Sequence, residues 1–497
     1  MSDVTKQKIV SSVPQQGFLG HPKGLFTLFF TEFWERFSYY GMRAILVFYM
    51  YYEISKGGLG IEENTALAIM SIYGSLVYMS GIIGGWLSDR IFGNSKAVFY
   101  GGILIMLGHI VLAIPGSVTL FFVSMFLIVL GTGLLKPNVS SVVGEIYSEE
   151  DNRRDAGFSI FYMGINLGGF LAPLIIGTVG MKYNFHLGFG IAAIGMFLGL
   201  VVFIFTRKKN LGLAGTFVVN PLSPTEKKKV LTWISLGAVL IIALIAITIP
   251  MGLLTFKTFK AVIGILGILI PTLYFFVMYR SPKTTAIERS RIIAYIPLFI
   301  ASVMFWAIEE QGSTILANYA DRRTQLNFAG FHISPAWFQS LNPLFIIIFA
   351  PLFAWLWVKL GDRQPSVPKK FSLGLLFAGL SFLVILLPAY FGGKNSLVNP
   401  LWLVLSYFIV VLGELCLSPV GLSATTKLAP AAFLAQTMSL WFLSNAAAQA
   451  INAQIVKFYT PNTEMAYFGV IGAIALFLSL VLYLLTPKIQ GYMKGVR

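Results

Sequence analysis

Long apolar runs at near-regular intervals constrain this chain more than any other feature. A helix needs about 20 mostly apolar residues to cross a hydrocarbon core of about 30 Å. Runs of that kind fall near 24–52, 66–88, 97–114, 118–145, 155–180 and 186–206. A polar stretch, RKKNLGLAGTFVVNPLSPTEKKK (207–229), separates them from two more, near 230–250 and 259–279. After the basic segment RSPKTTAIERSR (280–291) come six further runs near 293–320, 334–359, 371–391, 399–427, 432–457 and 465–486. Only 11% of residues are charged, against about 25% in soluble domains, and the mean hydropathy is +0.78. Backbone groups in lipid must be satisfied within the chain, so the expectation is an all-α polytopic membrane protein.

The fourteen spans group as six, two and six. This divides the chain into a cytoplasmic N-terminal tail (1–23), a six-helix bundle (24–206), a linker with two additional transmembrane helices (207–291), a second six-helix bundle (292–487) and a cytoplasmic tail (488–497). The net charge of +16 does not point to nucleic acid, because its carriers sit in alternate loops. With a cytoplasmic N-terminus, about 25 Lys and Arg fall in cytoplasmic segments and about eight outside, as the positive-inside rule requires. The first 23 residues are polar and lack the short apolar core of a secretory signal, so the first span is expected to serve for insertion. The placement expected is a multi-pass protein of the cell membrane with both termini cytoplasmic.

The two groups of six suggest an internal repeat. The loop after the second span reads GGWLSDRIFGNSKA (84–97), and its counterpart in the later half reads LWVKLGDRQPSVPKK (356–370). Asp89-Arg90 and Asp362-Arg363 thus occupy the same point of each half. Paired bundles with a site between them near the midplane are a recurring transporter design. The G-x-L-S-D-R form resembles the loop motif of the major facilitator superfamily. That resemblance implies 12 core helices in two bundles, plus the 2 inserted ones.

Charged residues inside a span cost at least about 2.5–3.5 kcal/mol each, so those present should face a cavity or one another. The stretch FFTEFWERFSYYGMRAILVFYM (29–50) carries Glu32, Arg36, Tyr39 and Arg43 on one helical face, flanked by Glu35 and Tyr40. Glu32 and Arg36 stand at the i, i+4 spacing of an ion pair, which leaves Glu35 and Arg43 wanting partners. Lys136 lies in GTGLLKPNVSS just before Pro137, Glu309 and Glu310 in FWAIEEQGST, and Glu414 in VVLGELCLSPVG shortly before Pro419. Arg43 and Lys136 from the first half and Glu310 and Glu414 from the second would make a cavity with one cationic and one anionic wall. Such a cavity suits a zwitterion. Asn166, Asn342 and Asn445 are neutral candidates for the same cavity or for helix–helix hydrogen bonds. Trp306, Trp441 and Tyr78 are candidates for its side-chain pockets or for packing.

The opening stretch is similar to the E-x-x-E-R-F-x-Y-Y motif of the proton-coupled oligopeptide transporters. FSIFYMGINLGGF (158–170) resembles that family's second signature, and Lys136, Glu310, Glu414 and Trp441 lie in contexts similar to its substrate site. The resemblance implies symport of di- and tripeptides with protons, driven by the gradient without a cofactor. It implies that Arg43 and Lys136 hold the peptide carboxylate, Glu414 the amino terminus, and Asn166 and Asn342 the backbone. Glu32, Glu35 and Arg36 would couple protonation to conformation, with Glu310 a second proton site. Each chain would hold a complete pathway and work as a monomer. Two rivals of the same superfamily are a proton-coupled drug antiporter and a nitrate-type anion carrier.

One cycle consistent with these charges pairs Lys136 with Glu414 and Arg43 with Glu310 while the cytoplasmic side is shut. A peptide carboxylate competing for the two cations would free the glutamates to take up a proton. A membrane potential of about 100 mV supplies about 2.3 kcal/mol per charge, which would sustain a gradient of about 50-fold. Nothing in the sequence suggests an enzyme: the phosphate-binding G-x-x-x-x-G-K-[ST], H-E-x-x-H and G-x-S-x-G patterns do not occur. Cys416 is the single cysteine and sits in an apolar run, and His21 and His332 are isolated at loop edges. No metal site is expected.

Overall fold

The computed structural model describes residues 3–148, 150–248, 251–253, 255–328, 330–392 and 396–496. The first bundle is built from α2 (Gly24–Tyr51), α3 (Glu63–Leu87), α4 (Asn94–Ala113), α5 (Val118–Glu145), α6 (Arg154–Lys182) and α7 (Phe185–Asn210), preceded by a short α1 (Asp3–Ser12). The inserted pair is α8 (Pro224–Thr248) and α9 (Phe256–Arg280). The second bundle contains a broken helix, α10 (Ala286–Glu309) with α11 (Ile315–Arg323), and then α12 (Leu341–Leu360). A second broken helix follows, α13 (Val367–Val384) with α14 (Leu386–Gly392), and then α15 (Pro400–Leu428), α16 (Leu434–Ile455) and α17 (Glu464–Met493). Counting each broken helix once gives the fourteen rods expected from the apolar runs.

Eleven of these are both long and apolar enough to cross a membrane among the described residues. The three outside that set are α2, α8 and α16. For α2 the reason is its charged stripe, and for α16 its polar residues, Asn445, Gln449 and Asn452 among them, all buried. Neighbouring helices rather than lipid cover these polar faces: α2 packs on α6 and α7, while α16 packs on α3, α9 and α10. Among the described residues one element is not helical, a hairpin between α11 and α12 pairing Asn327–Phe328 with Phe331–His332.

Small residues set the closest helix crossings. A Cβ on Gly168 would lie 2.5 Å from the carbonyl oxygen of Phe33. The glycine of the I-N-x-G-G signature therefore lets α6 rest directly on the backbone of α2. A Cβ on Gly84 would lie 1.9 Å from the carbonyl oxygen of Gly133, the oxygen that Pro137 deprives of its helical N–H donor. The α3–α5 crossing thus sits one turn from Lys136.

The two polar segments fold against the first bundle instead of trailing from it. Ile9, Val13, Leu211 and Ala214 are buried in one cluster with the ends of α2 and α5, and Leu222 is buried beside Arg90, to whose carbonyl its N–H donates. Glu145 accepts hydrogen bonds from Asn94 Nδ2 and from the backbone N–H of Gly215, both at 2.7 Å. Gly212 and Gly215 have φ of +53° and +72°, the left-handed region that glycine enters without strain. Arg90 of the Asp-Arg pair binds Glu226 at 3.3 Å. The side chain of Asp362, the counterpart of Asp89, lies outside the described residues.

Candidate transport site

All hydrogen bonds that join the two bundles, among the described residues, lie at midplane or at the end where α2 finishes. At that end Tyr51 and Tyr52 donate to the two oxygens of Asp321 at 2.8 and 2.7 Å. Arg322 pairs with Glu63 at 3.1 Å. Trp337 Nε1 donates to Thr178 Oγ1 and Ser340 Oγ to the Phe170 carbonyl, both at 2.8 Å. No such bond ties the bundles on the side of the termini, so the structure is closed on one side only.

At the foot of this seal lies a cavity lined from both bundles, by Tyr40, Arg43, Tyr78 and Asn166 on one wall and Trp306, Glu309, Glu310, Asn342 and Glu414 on the other. Arg43 Nη2 makes an ion pair with Glu310 Oε2 and donates to Ser313 Oγ at 2.8 Å. The carboxylate of Glu310 also accepts from Tyr78 Oη at 3.1 Å and Gln449 Nε2 at 2.7 Å. Asn342 Nδ2 donates to Glu414 Oε2 at 2.9 Å and to Glu309 Oε1 at 3.2 Å. Neither of those two carboxylates has a cation within ion-pair reach among the described residues.

Deeper on α2, Arg36 Nε lies 2.7 Å from Glu32 Oε1 and 2.6 Å from Glu35 Oε2. The triad is sealed: Glu32 and Arg36 are 2% exposed and Glu35 0%. Arg36 thus supplies the partner that Glu35 lacked in the sequence, and Arg43 finds its own across the interface. Two carboxylates on one guanidinium leave an excess negative charge inside the protein, with both Glu35 oxygens short of a hydrogen-bond donor. An unpaired buried charge is costly.

The expected cycle pairs Lys136 with Glu414 in a conformer shut on the other side; in this one the Lys136 Nζ sits over the Tyr78 ring, 4.3 Å from the centroid. The Arg43–Glu310 pair is already formed with the side of the termini open, because Arg43 lies in the half of α2 that meets the Glu310–Ser313 turn and α11. Four expected binding residues also stand back from the cavity wall. Tyr39 is buried under Arg36, whose guanidinium lies 5.5 Å from its ring centroid. Lys136 stays behind Tyr78. Trp441 stacks edge-on against Trp306 at 6.5 Å and so supports the wall from behind. Asn445 is buried with its Oδ1 unpartnered. Asn166 lines the cavity and donates back to the Tyr162 carbonyl at 2.9 Å. From the sequence Glu309 stood out only as a buried charge, and Ser313, Tyr407 and Gln449 gave no signal. The Glu309-Glu310 doublet was the available signal: neighbours on a helix diverge by about 100°, so both point inward only where the helix breaks.

Residues 95–477 match the POT family. The chain belongs to that family. It is 64% identical to the transporter YclF of Bacillus subtilis (strain 168), over 100% of both chains. It is 48% identical to a di-/tripeptide transporter of Lactococcus lactis subsp. cremoris, covering 97% of this chain and 99% of the relative. Among solved structures, the peptide transporter POT in complex with sulfate is 76% identical and superimposes with a TM-score of 0.97 over 99% of each chain. POT proteins have the major facilitator fold, which agrees with the two bundles and the inserted pair. This chain is accordingly a multi-pass membrane transporter and not an enzyme.

Proposed function

We propose that the protein is a proton-coupled symporter that imports di- and tripeptides by alternating access across the cell membrane. The observation that carries this reading is the cavity between the bundles. Its cation, Arg43, is held by a carboxylate of the opposite bundle, while Glu309 and Glu414 face the same space without a cation. A peptide's carboxylate competes with Glu310 for Arg43, and its ammonium fits beside Glu414 and Asn342. Neither an anion nor an apolar drug answers both walls. The peptide transport of the named relatives supports the same substrate class.

Within this reading the residues take these roles. Arg43, with Lys136 behind Tyr78, attracts the carboxylate; Asn166 and Asn342 grip the backbone; Tyr40, Tyr78 and Trp306 wall the side chains. Tyr39, Trp441 and Asn445 support these groups from behind. A proton taken up at Glu310 removes the charge that ties the bundles together, and one taken up at the Glu32–Glu35–Arg36 triad relieves the excess negative charge buried on α2. Residues 24–206 and 292–487 then rock against each other as units, with 207–291 carried between them. Basic loops put both termini in the cytoplasm, which makes the open side the cytoplasmic one and this conformer inward-facing. One chain holds the whole pathway and works as a monomer, with the proton gradient as its energy source.

Labelled dialanine uptake into proteoliposomes under an inward proton gradient tests this. Concentrative uptake that collapses with a protonophore, and with Lys136→Ala, is expected. A folded protein that accumulates no dialanine would refute the peptide reading.

A further inference from the structure

The break in the helix that carries Glu310 is fastened by a residue that touches neither the cavity nor Arg43. After Glu309 the chain makes a tight turn over Glu310–Ser313, passes through Thr314 at φ −122° and ψ −90°, and resumes as α11. A break at membrane depth frees backbone groups that lipid cannot satisfy. Gln311, 1% exposed, supplies the remedy. Its Nε2 donates at 2.8 Å to the carbonyl of Ala307, the oxygen that an unbroken helix assigns to the N–H of residue 311. The same nitrogen donates to Asn452 Oδ1 of α16 at 3.3 Å, and its Oε1 accepts from Tyr467 Oη of α17 at 2.9 Å. Tyr407 of α15 completes the fastening by donating to the Gly312 carbonyl at 3.0 Å.

The turn is therefore tied to three helices of its own bundle. The residues flanking those ties, Glu310 and Ser313, are the two that Arg43 engages from the other bundle. We propose that Gln311 is a positioning residue for the coupling pair: it fixes the turn so that Glu310 meets Arg43 in the closed seal and returns to the same place after each proton is released. This rests on the symport reading for its role, but the fixing of the turn is a separate physical claim.

Gln311→Met keeps the shape and removes all three side-chain hydrogen bonds, while Tyr467→Phe removes one hydroxyl and guards against a Gln311 variant that does not fold. Proton-driven dialanine uptake should fall about tenfold in Gln311→Met, the scale of one to two buried hydrogen bonds. Peptide counterflow, which needs no net proton transfer, should be largely kept, and the pH profile of uptake should be displaced. Tyr467→Phe should shift both readouts in the same direction by less, with the double variant no worse than Gln311→Met alone. Equal loss of driven uptake and counterflow with an unmoved pH profile, or no loss at all, would overturn the proposal. Amide exchange over residues 308–314 separates the two claims. If the wild type takes up no dialanine, the peptide reading fails; faster exchange in Gln311→Met still supports the positioning role, and unchanged exchange overturns it.

Discussion

Asp321 is the residue whose loss should most directly unlatch the closed side. Both of its oxygens are taken by tyrosine hydroxyls of the opposite bundle, at 2.7 and 2.8 Å, and Arg322 Nε stands 3.7 Å away. Hydrogen bonds to a charged group contribute about 1.5–3 kcal/mol each. Taking the low end for a site at the rim, where water replaces the bonds on opening, Asp321→Ala removes about 3 kcal/mol from the closed conformer. That is on the order of a 100-fold shift toward the conformer open on this side. Asp321→Asn keeps one acceptor and should shift the balance by roughly half that free energy. Spin labels on cysteines at Ile54 and Phe331, 78% and 75% exposed, report the distance between the two rims. Cys416, the only native cysteine, is buried and stays unlabelled. The wild type should give one short distance, with a longer population growing from Asp321→Asn to Asp321→Ala. Identical distributions in all three would refute the latch.

Other substitutions probe other parts of the account. Asn342→Leu removes the amide shared by Glu309 and Glu414 and should raise the dialanine KM about tenfold with a smaller effect on the maximal rate, measured in proteoliposomes. Gly84→Ala puts a methyl group against the Gly133 carbonyl, a backbone atom that cannot swing aside; thermal melting should show a loss of about 1–3 kcal/mol. Between the first bundle's helices, the hydrogen bond from Arg153 holds the Asp151 carboxyl below the usual carboxylate range, while Arg153 also donates to the carbonyls of Gln15 and Gly20 at 3.0 and 3.1 Å. A depressed folded pKa gives a contribution that is full above the ordinary Asp value and lost as pH falls through the folded one. The protection factors of the amides in residues 15–20, corrected for the intrinsic pH dependence of exchange, should therefore hold from pH 7 to about 4 and fall only below that. Asp151→Asn should lower them at neutral pH.

The sequence carried the span count because lipid imposes one simple requirement, about 20 apolar residues per crossing. It also carried the facing of Glu32, Arg36 and Arg43, since a helix period places them on one side and burial cost demands company. Partner choice was less legible. Arg36 serves two carboxylates, and Arg43 reaches Glu310 over 267 positions of chain, which depends on how the bundles lean. Lys136 rests on the Tyr78 ring in this conformer, and the acid expected for it belongs to the one shut on the other side. The break after Glu309 had a trace in the run Glu-Gln-Gly-Ser-Thr, poor helix interior before an apolar resumption. The folding of 207–223 onto the first bundle was masked by its lysines, although Leu211, Ala214 and Leu222 carried the apolar side.

The central claim is that peptide and proton cross together. Proteoliposomes loaded with a pH-sensitive dye, with no imposed gradient, can be given dialanine outside while the lumenal pH is followed. The account predicts that dialanine entry acidifies the lumen, and that Arg43→Ala abolishes both entry and acidification. Dialanine that enters without moving protons, or protons that move without dialanine, would contradict it.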